Sequence, residues 1–229
     1  MPTKSDDIGR VIRHSAKSQL APMGFCQIGR SRTWYRDHGF WAAVVEFQAS
    51  SYSKASYLNV SASWLWADKN FWAFDYGGRV ANLFFEFQNE EQFGPFAEVL
   101  AARAADESRR LQVEFSSLPA IARKLTGEAN QSIAIGNPSM WTLYHAAVVS
   151  ALVDDEQDAQ RFFDELLQVS ANAEWQKKLR EQSVNLISHL RSREHFIQQV
   201  QEIVDRTRSQ LKLPQLDGAL YLALTQNRV

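Results

Sequence analysis

The sequence predicts an α+β protein, with an N-terminal helix, a four- or five-stranded antiparallel sheet and an all-helical C-terminal domain. Three observations carry this prediction. Apolar residues recur at helical spacing up to Leu20, the period switches to two from Phe25 to Trp66, and helical spacing returns after Asn89. With 229 residues the chain can bury roughly 70% of its unfolded surface, so a sizeable core forms without covalent staples.

The first helix is read over residues 5 to 21. Ser5 or Asp6 can cap it, Ile8, Val11, Ile12, Ala16 and Leu20 share one face, and Pro22 with Gly24 ends it. Strands follow near 25 to 29, 32 to 37, 40 to 48 and 56 to 66, separated by Gly29, Gly39 and the Ser50–Ser53 loop. Connections this short make the sheet antiparallel. Trp41, Ala43, Val45 and Phe47 on one strand and Leu58, Val60, Ala62 and Trp64 on the next form a core face. The other face is mixed, with Glu46, Gln48, Asn59, Ser61 and Ser63 on it, as suits a wet or ligand-bearing surface.

The register of the first hairpin decides which residues join that mixed face, because a one-residue slip moves every side chain across the sheet. A two-residue turn at His38-Gly39 puts Tyr35 and Asp37 beside Glu46. A three-residue turn that includes Asp37 puts Arg32, Trp34 and Arg36 there instead.

Residues 68 to 78 form an aromatic loop, and residues 79 to 88 are a candidate last strand. Residues 34 to 96 hold 18 of the 27 aromatics, a density that suits either a core or a stacking platform. Beyond Asn89, helices are expected at 90 to 114, with a break at Gly94-Pro95 as an alternative, and at 117 to 126, 139 to 153 and 156 to 169. Gly127 to Pro138 reads as a linker between an α+β domain at 1–126 and a helical domain at 139–229. Between 175 and 212 a heptad-like seam runs through Leu179, Ser183, Leu186, Leu190, Arg193, Ile197, Val200, Val204, Thr207 and Leu211. It suits one long helix or two helices broken near Arg191–Arg193, and either internal packing or a homodimer through these C-terminal helices.

Charge excludes little but narrows the partners. The 25 basic and 26 acidic residues are spread evenly, so no domain carries the basic excess of a nucleic-acid binder. One cysteine, Cys26, cannot pair within the chain, which makes a reducing cytoplasm the expected compartment. The charged N-terminal segment does not read as a signal peptide, and no stretch is long and apolar enough to span a bilayer.

No arrangement of catalytic residues emerges from the spacing. His189 and His195 are six residues apart, which puts them about 120° apart on a helix, so no metal site and no cofactor are expected there. His145 reads as a buried, hydrogen-bonded histidine, and Cys26 as a small core residue. Asp154, Asp155, Glu156 and Asp158 sit at a helix start, where the helix dipole favours carboxylates. Phosphate-binding glycine loops and the nucleophile elbow are absent from the sequence. The strongest binding candidates are Arg36, Glu46, Gln48, Asn59 and Ser61: the last four supply donors and acceptors to the mixed sheet face, and Arg36 adds an anion clamp there if the three-residue turn holds.

Four segments carry a family likeness: Leu20-Ala-Pro-Met-Gly-Phe25, Arg32-Thr-Trp-Tyr-Arg36, Val45-Glu-Phe-Gln-Ala-Ser50 and Tyr57-Leu-Asn-Val60. In order and spacing they resemble the bacterial domain of unknown function 4304 over the first half of the chain. That resemblance implies a small cytoplasmic accessory protein and brings no catalytic residue. The expected role is therefore a binding or protein-interaction module that regulates or neutralises a partner protein. An enzyme using Arg36, Glu46 and His145, and a single-stranded nucleic-acid binder using sheet aromatics, are the alternatives.

Overall fold

The computed structural model describes residues 4–51, 53–80 and 85–226. Helix α1 (Lys4–Leu20) is followed by a short 3-10 turn (Ala21–Met23). Five strands follow, β1 (Cys26–Gln27), β2 (Thr33–Asp37), β3 (Trp41–Ala49), β4 (Ser56–Trp64) and β5 (Tyr76–Arg79), in one antiparallel sheet of order β1-β2-β3-β4-β5. The remaining helices are α2 (Glu90–Glu114), α3 (Leu118–Ala134), α4 (Met140–Leu152), α5 (Glu156–Gln168), α6 (Glu174–Ile187), α7 (Arg193–Gln210) and α8 (Ala219–Gln226). The Ser5 or Asp6 cap and part of the 79–88 strand fall outside the described side chains and residues. The last described strand lies earlier, at Tyr76–Arg79.

The chain divides into two compact units. One comprises Met1–Ser63 with Trp72–Val113, and the other Trp64–Phe71 with Glu114–Val229. The dividing points do not coincide with the segment 127–138. Gly127 lies inside α3, and that helix ends only where Gly136 takes a φ of 70° and its N–H bonds the Ile133 carbonyl. An exposed interior glycine weakens a helix without ending it, so Gly127 does not open a linker and α3 runs on to Ala134.

In the first unit the apolar sheet face is built as its alternation demands. Trp41, Ala43, Val45, Phe47, Leu58, Val60 and Ala62 are all buried, together with the Ile8, Ile12, Ala16 and Leu20 stripe of α1 and the Phe93, Ala97, Leu100 and Leu111 stripe of α2. Pro95 lies in the second turn of an unbroken α2. Cys26, expected in the core, is exposed instead, because β1 is a two-residue edge strand with its cysteine turned outward.

The second unit wraps its helices around the non-helical segment Trp64–Phe71. Trp64, Leu65, Trp66 and Ala67 are completely buried. The backbone carbonyls of Trp66 and Ala67 accept hydrogen bonds from the hydroxyls of Tyr144 and Thr207, which stand in for a missing strand or helix partner. The heptad-like seam is broken between α6 and α7, near the expected point. Leu179, Ser183, Leu186, Leu190, Ile197, Val200, Val204 and Thr207 are buried within this unit, so the seam is used for internal packing. Helix α8 had no sequence signal strong enough to predict it; its Leu220 N–H bonds the buried side chain of Gln201.

Candidate functional site

The β2–β3 hairpin settles the face question. Thr33 pairs with Glu46, Tyr35 with Val44 and Asp37 with Ala42, around a two-residue Gly39-Phe40 turn. Gly39 has a φ of 88° at the first central position, and its N–H bonds the Asp37 carboxylate at 2.8 Å. Directly paired residues share a face, so Tyr35 and Asp37 join Glu46, and Arg36 points to the opposite face. There its guanidinium donates to the Gln112 side chain of α2 at 2.9 Å. Arg36 is thus removed from the binding group expected for it, and the constellation of Arg36, Glu46 and His145 is not assembled.

Glu46, Gln48 and Asn59 do come together. The Asn59 amide donates to Glu46 Oε2 at 2.9 Å and to Gln48 Oε1 at 3.1 Å, and Arg79 donates to the same Gln48 oxygen at 3.0 Å while lying over the Tyr57 ring. Asn59 is only 9% exposed and spends both amide hydrogens within the sheet. Ser61 is fully buried, opposite Gly77, and its hydroxyl has no partner among the described residues. The loop after the fourth strand closes over this face, with Trp72 stacked on Tyr35 at 4.8 Å and the Ala73 N–H on Ser63 Oγ. The polar row is a cross-strand tie more than an open recognition surface.

An open site does exist within the second unit. A cleft of about 930 Å³ is lined by the Asp68–Phe71 segment, Trp141 of α4, residues of α6 including Trp175, Lys178 and Gln182, and Arg206 and Gln210 of α7. This volume falls in the range of small-molecule pockets, roughly 300–1,000 Å³. Trp141 and Trp175 stack in parallel, 5.9 Å apart and 7° from coplanar, and Trp175 is 47% exposed. Lys69, only 5% exposed, holds its ammonium 5.4 Å from the Trp141 ring centre. Asp68 is braced by Arg206 at 3.4 Å and by the Gln210 amide at 3.1 Å.

A buried layer fixes these walls. Gln182 donates to the Tyr144 hydroxyl at 2.8 Å, and the Tyr144 hydroxyl in turn donates a hydrogen bond to the Trp66 carbonyl. Burial, and then the Asp68 carboxylate, push the Tyr144 hydroxyl above its usual pKa, against the opposing effect of Arg206. His145, buried as expected, accepts from Trp66 Nε1 at 3.1 Å and stacks on Trp141. The sequence placed Trp141 in a core stripe and left Lys69 unremarked; flanked by Asp68 and Asn70 in a loop, Lys69 carries no local signal of burial. Among the described residues no three His, Cys, Asp or Glu side chains gather as metal ligands, and no helix is long and apolar enough to cross a membrane.

No protein-family model matches the chain, and comparison with curated proteins and with solved structures returns no match.

Proposed function

We propose that this α+β protein is a binding module that recognises a partner protein, and that its recognition site is the cleft of the helical unit. The observation that carries the reading is the parallel Trp141–Trp175 pair, in which Trp175 is half exposed on the cleft, backed by a hydrogen-bonded layer. Exposed tryptophans on a rigid support are the residues that most often dominate binding energy at interfaces. The sheet face, by contrast, pairs Glu46, Gln48 and Asn59 with one another, and Trp72 and Arg79 already cover Tyr35 and Tyr57. Stacking positions for bases on that face are therefore occupied by the chain itself. The N-terminal resemblance to a family of small accessory proteins agrees with a partner-binding role.

Affinity capture of the tagged protein from its native cell, run in parallel with Trp175→Ala, tests the proposal. The expected result is a stoichiometric protein partner whose purified form binds the wild type and binds Trp175→Ala at least tenfold more weakly. Equal affinity of the two forms for the purified partner would overturn the cleft as the recognition site, and the lack of any stoichiometric partner would overturn the role.

A further inference from the structure

We infer that the cleft receives a proline-rich segment of the partner protein, held in the extended polyproline II form. This deepens the proposed function and rests on the cleft being its recognition site. The charges on the lining nearly balance, so the cleft is not built to select an ion. Asp68 is held by Arg206 and Gln210, and the buried Lys69, beside the Trp141 ring, is engaged within the fold. The other two charged side chains, Lys178 and Glu181, are exposed, opposite in sign and one turn apart on α6. Recognition is left to aromatic and neutral groups. Trp175, packed on Trp141, remains 47% exposed, and Phe71 is 58% exposed. Asn70 and Asn185 are exposed on the same lining, and neither their side-chain amides nor the Trp175 indole N–H has a hydrogen bond among the described residues.

A polyproline II strand matches both kinds of group. It has no internal hydrogen bonds and, at proline, no N–H, so it offers carbonyl acceptors to those donors, while its prolyl rings lay apolar faces on the tryptophan. Such a strand is also ordered before it docks, which lowers the entropy lost on binding. The length agrees as well. Trp175, Lys178, Gln182 and Asn185 line the cleft at helical spacing along α6, and the first and last of them lie about 15 Å apart at 1.5 Å per residue. A polyproline II strand covers that length in about five residues at 3.1 Å each.

Acetyl-hexaproline amide is titrated into the ¹⁵N-labelled full chain while the indole N–H signals of Trp141 and Trp175 are followed. An equally long, neutral and flexible Gly-Ser peptide and the neutral saccharide maltohexaose serve as comparisons. Hexaproline is expected to shift both signals and to bind at least tenfold more tightly than either comparison. Its affinity should hold from low salt to about 0.5 M, as befits a contact without ion pairs, and should fall at least tenfold in Trp175→Ala. Equal binding of the two peptides would overturn polyproline selectivity while leaving the cleft as a peptide site. Tighter binding of maltohexaose would assign the cleft to a saccharide, and a tenfold loss with salt would assign the binding to the charged side chains; either result overturns the inference. A lack of shift with all three probes would overturn it too. The proposed function is judged apart from these outcomes, by whether the purified partner binds Trp175→Ala more weakly than the wild type.

Discussion

The Tyr144 hydroxyl donates a 2.8 Å hydrogen bond to the Trp66 carbonyl, joining α4 to a segment 78 residues earlier. Because Gln182 donates to the same hydroxyl, one phenol ties three parts of the helical unit together. Its removal should leave a buried carbonyl and a half-buried amide without this partner. Tyr144→Phe is therefore expected to cost about 1–3 kcal/mol in urea unfolding, with helical content unchanged. A loss below about 0.5 kcal/mol would show that water or neighbouring groups replace the hydroxyl.

Asn59 makes the contrast with a recognition residue measurable. Asn59→Ala removes the donor shared by Glu46 and Gln48 within the sheet, so the expected effect is a stability loss of about 1–2 kcal/mol. Binding of the partner by the folded variant should be unchanged. Weakened binding at unchanged stability would return the sheet face to consideration as the recognition surface.

Gly127 tests whether its segment is helix or linker. It lies inside α3 with a helical φ, and an added Cβ would meet nothing within 4 Å. Gly127→Ala should stabilise the protein by about 0.5–1 kcal/mol, since alanine loses less backbone freedom on forming helix. In a flexible linker the same change would leave stability unaltered.

Gly77 predicts the reverse. Its φ is 98°, and a Cβ there would sit 2.6 Å from the Val60 carbonyl oxygen on the neighbouring strand. Gly77→Ala is expected to destabilise by at least about 2 kcal/mol, because both the backbone strain and the clash with β4 fall on rigid atoms. Thermal unfolding of the pair Gly77→Ala and Gly127→Ala should show midpoints displaced in opposite directions.

His38 supplies a pH dependence. It stacks on Trp41 at 4.1 Å, and burial, with the Arg36 charge beside it, lowers its pKa to about 4 from 6.5, against the opposing effect of Asp37. The fold therefore favours neutral His38, and the unfolded chain binds the extra proton as pH falls. This contribution is fully present above pH 6.5 and is lost progressively down to about pH 4, to at most about 3 kcal/mol. Urea unfolding of wild type and His38→Phe across this interval should show the smaller pH dependence in the variant.

The sequence by itself determined the α+β class, the antiparallel order, the core face from Trp41 to Ala62 and most helices, because periodicity records which side of an element is dry. It also brought Glu46, Gln48 and Asn59 together, since alternation along two adjacent strands is local information. It could not place Arg36, whose face depends on a turn that two neighbouring registers satisfy almost equally. Gly127 shows a related limit: its local cost opposes helix, while the buried Leu125 and Ala129 on either side hold the helix together. The cleft was decided by tertiary structure alone. Lys69, Trp141, Trp175 and Arg206 are far apart in the chain, and they meet because Trp64 to Ala67, which lead into the Asp68–Phe71 wall, are buried among helices whose hydroxyls satisfy their backbone.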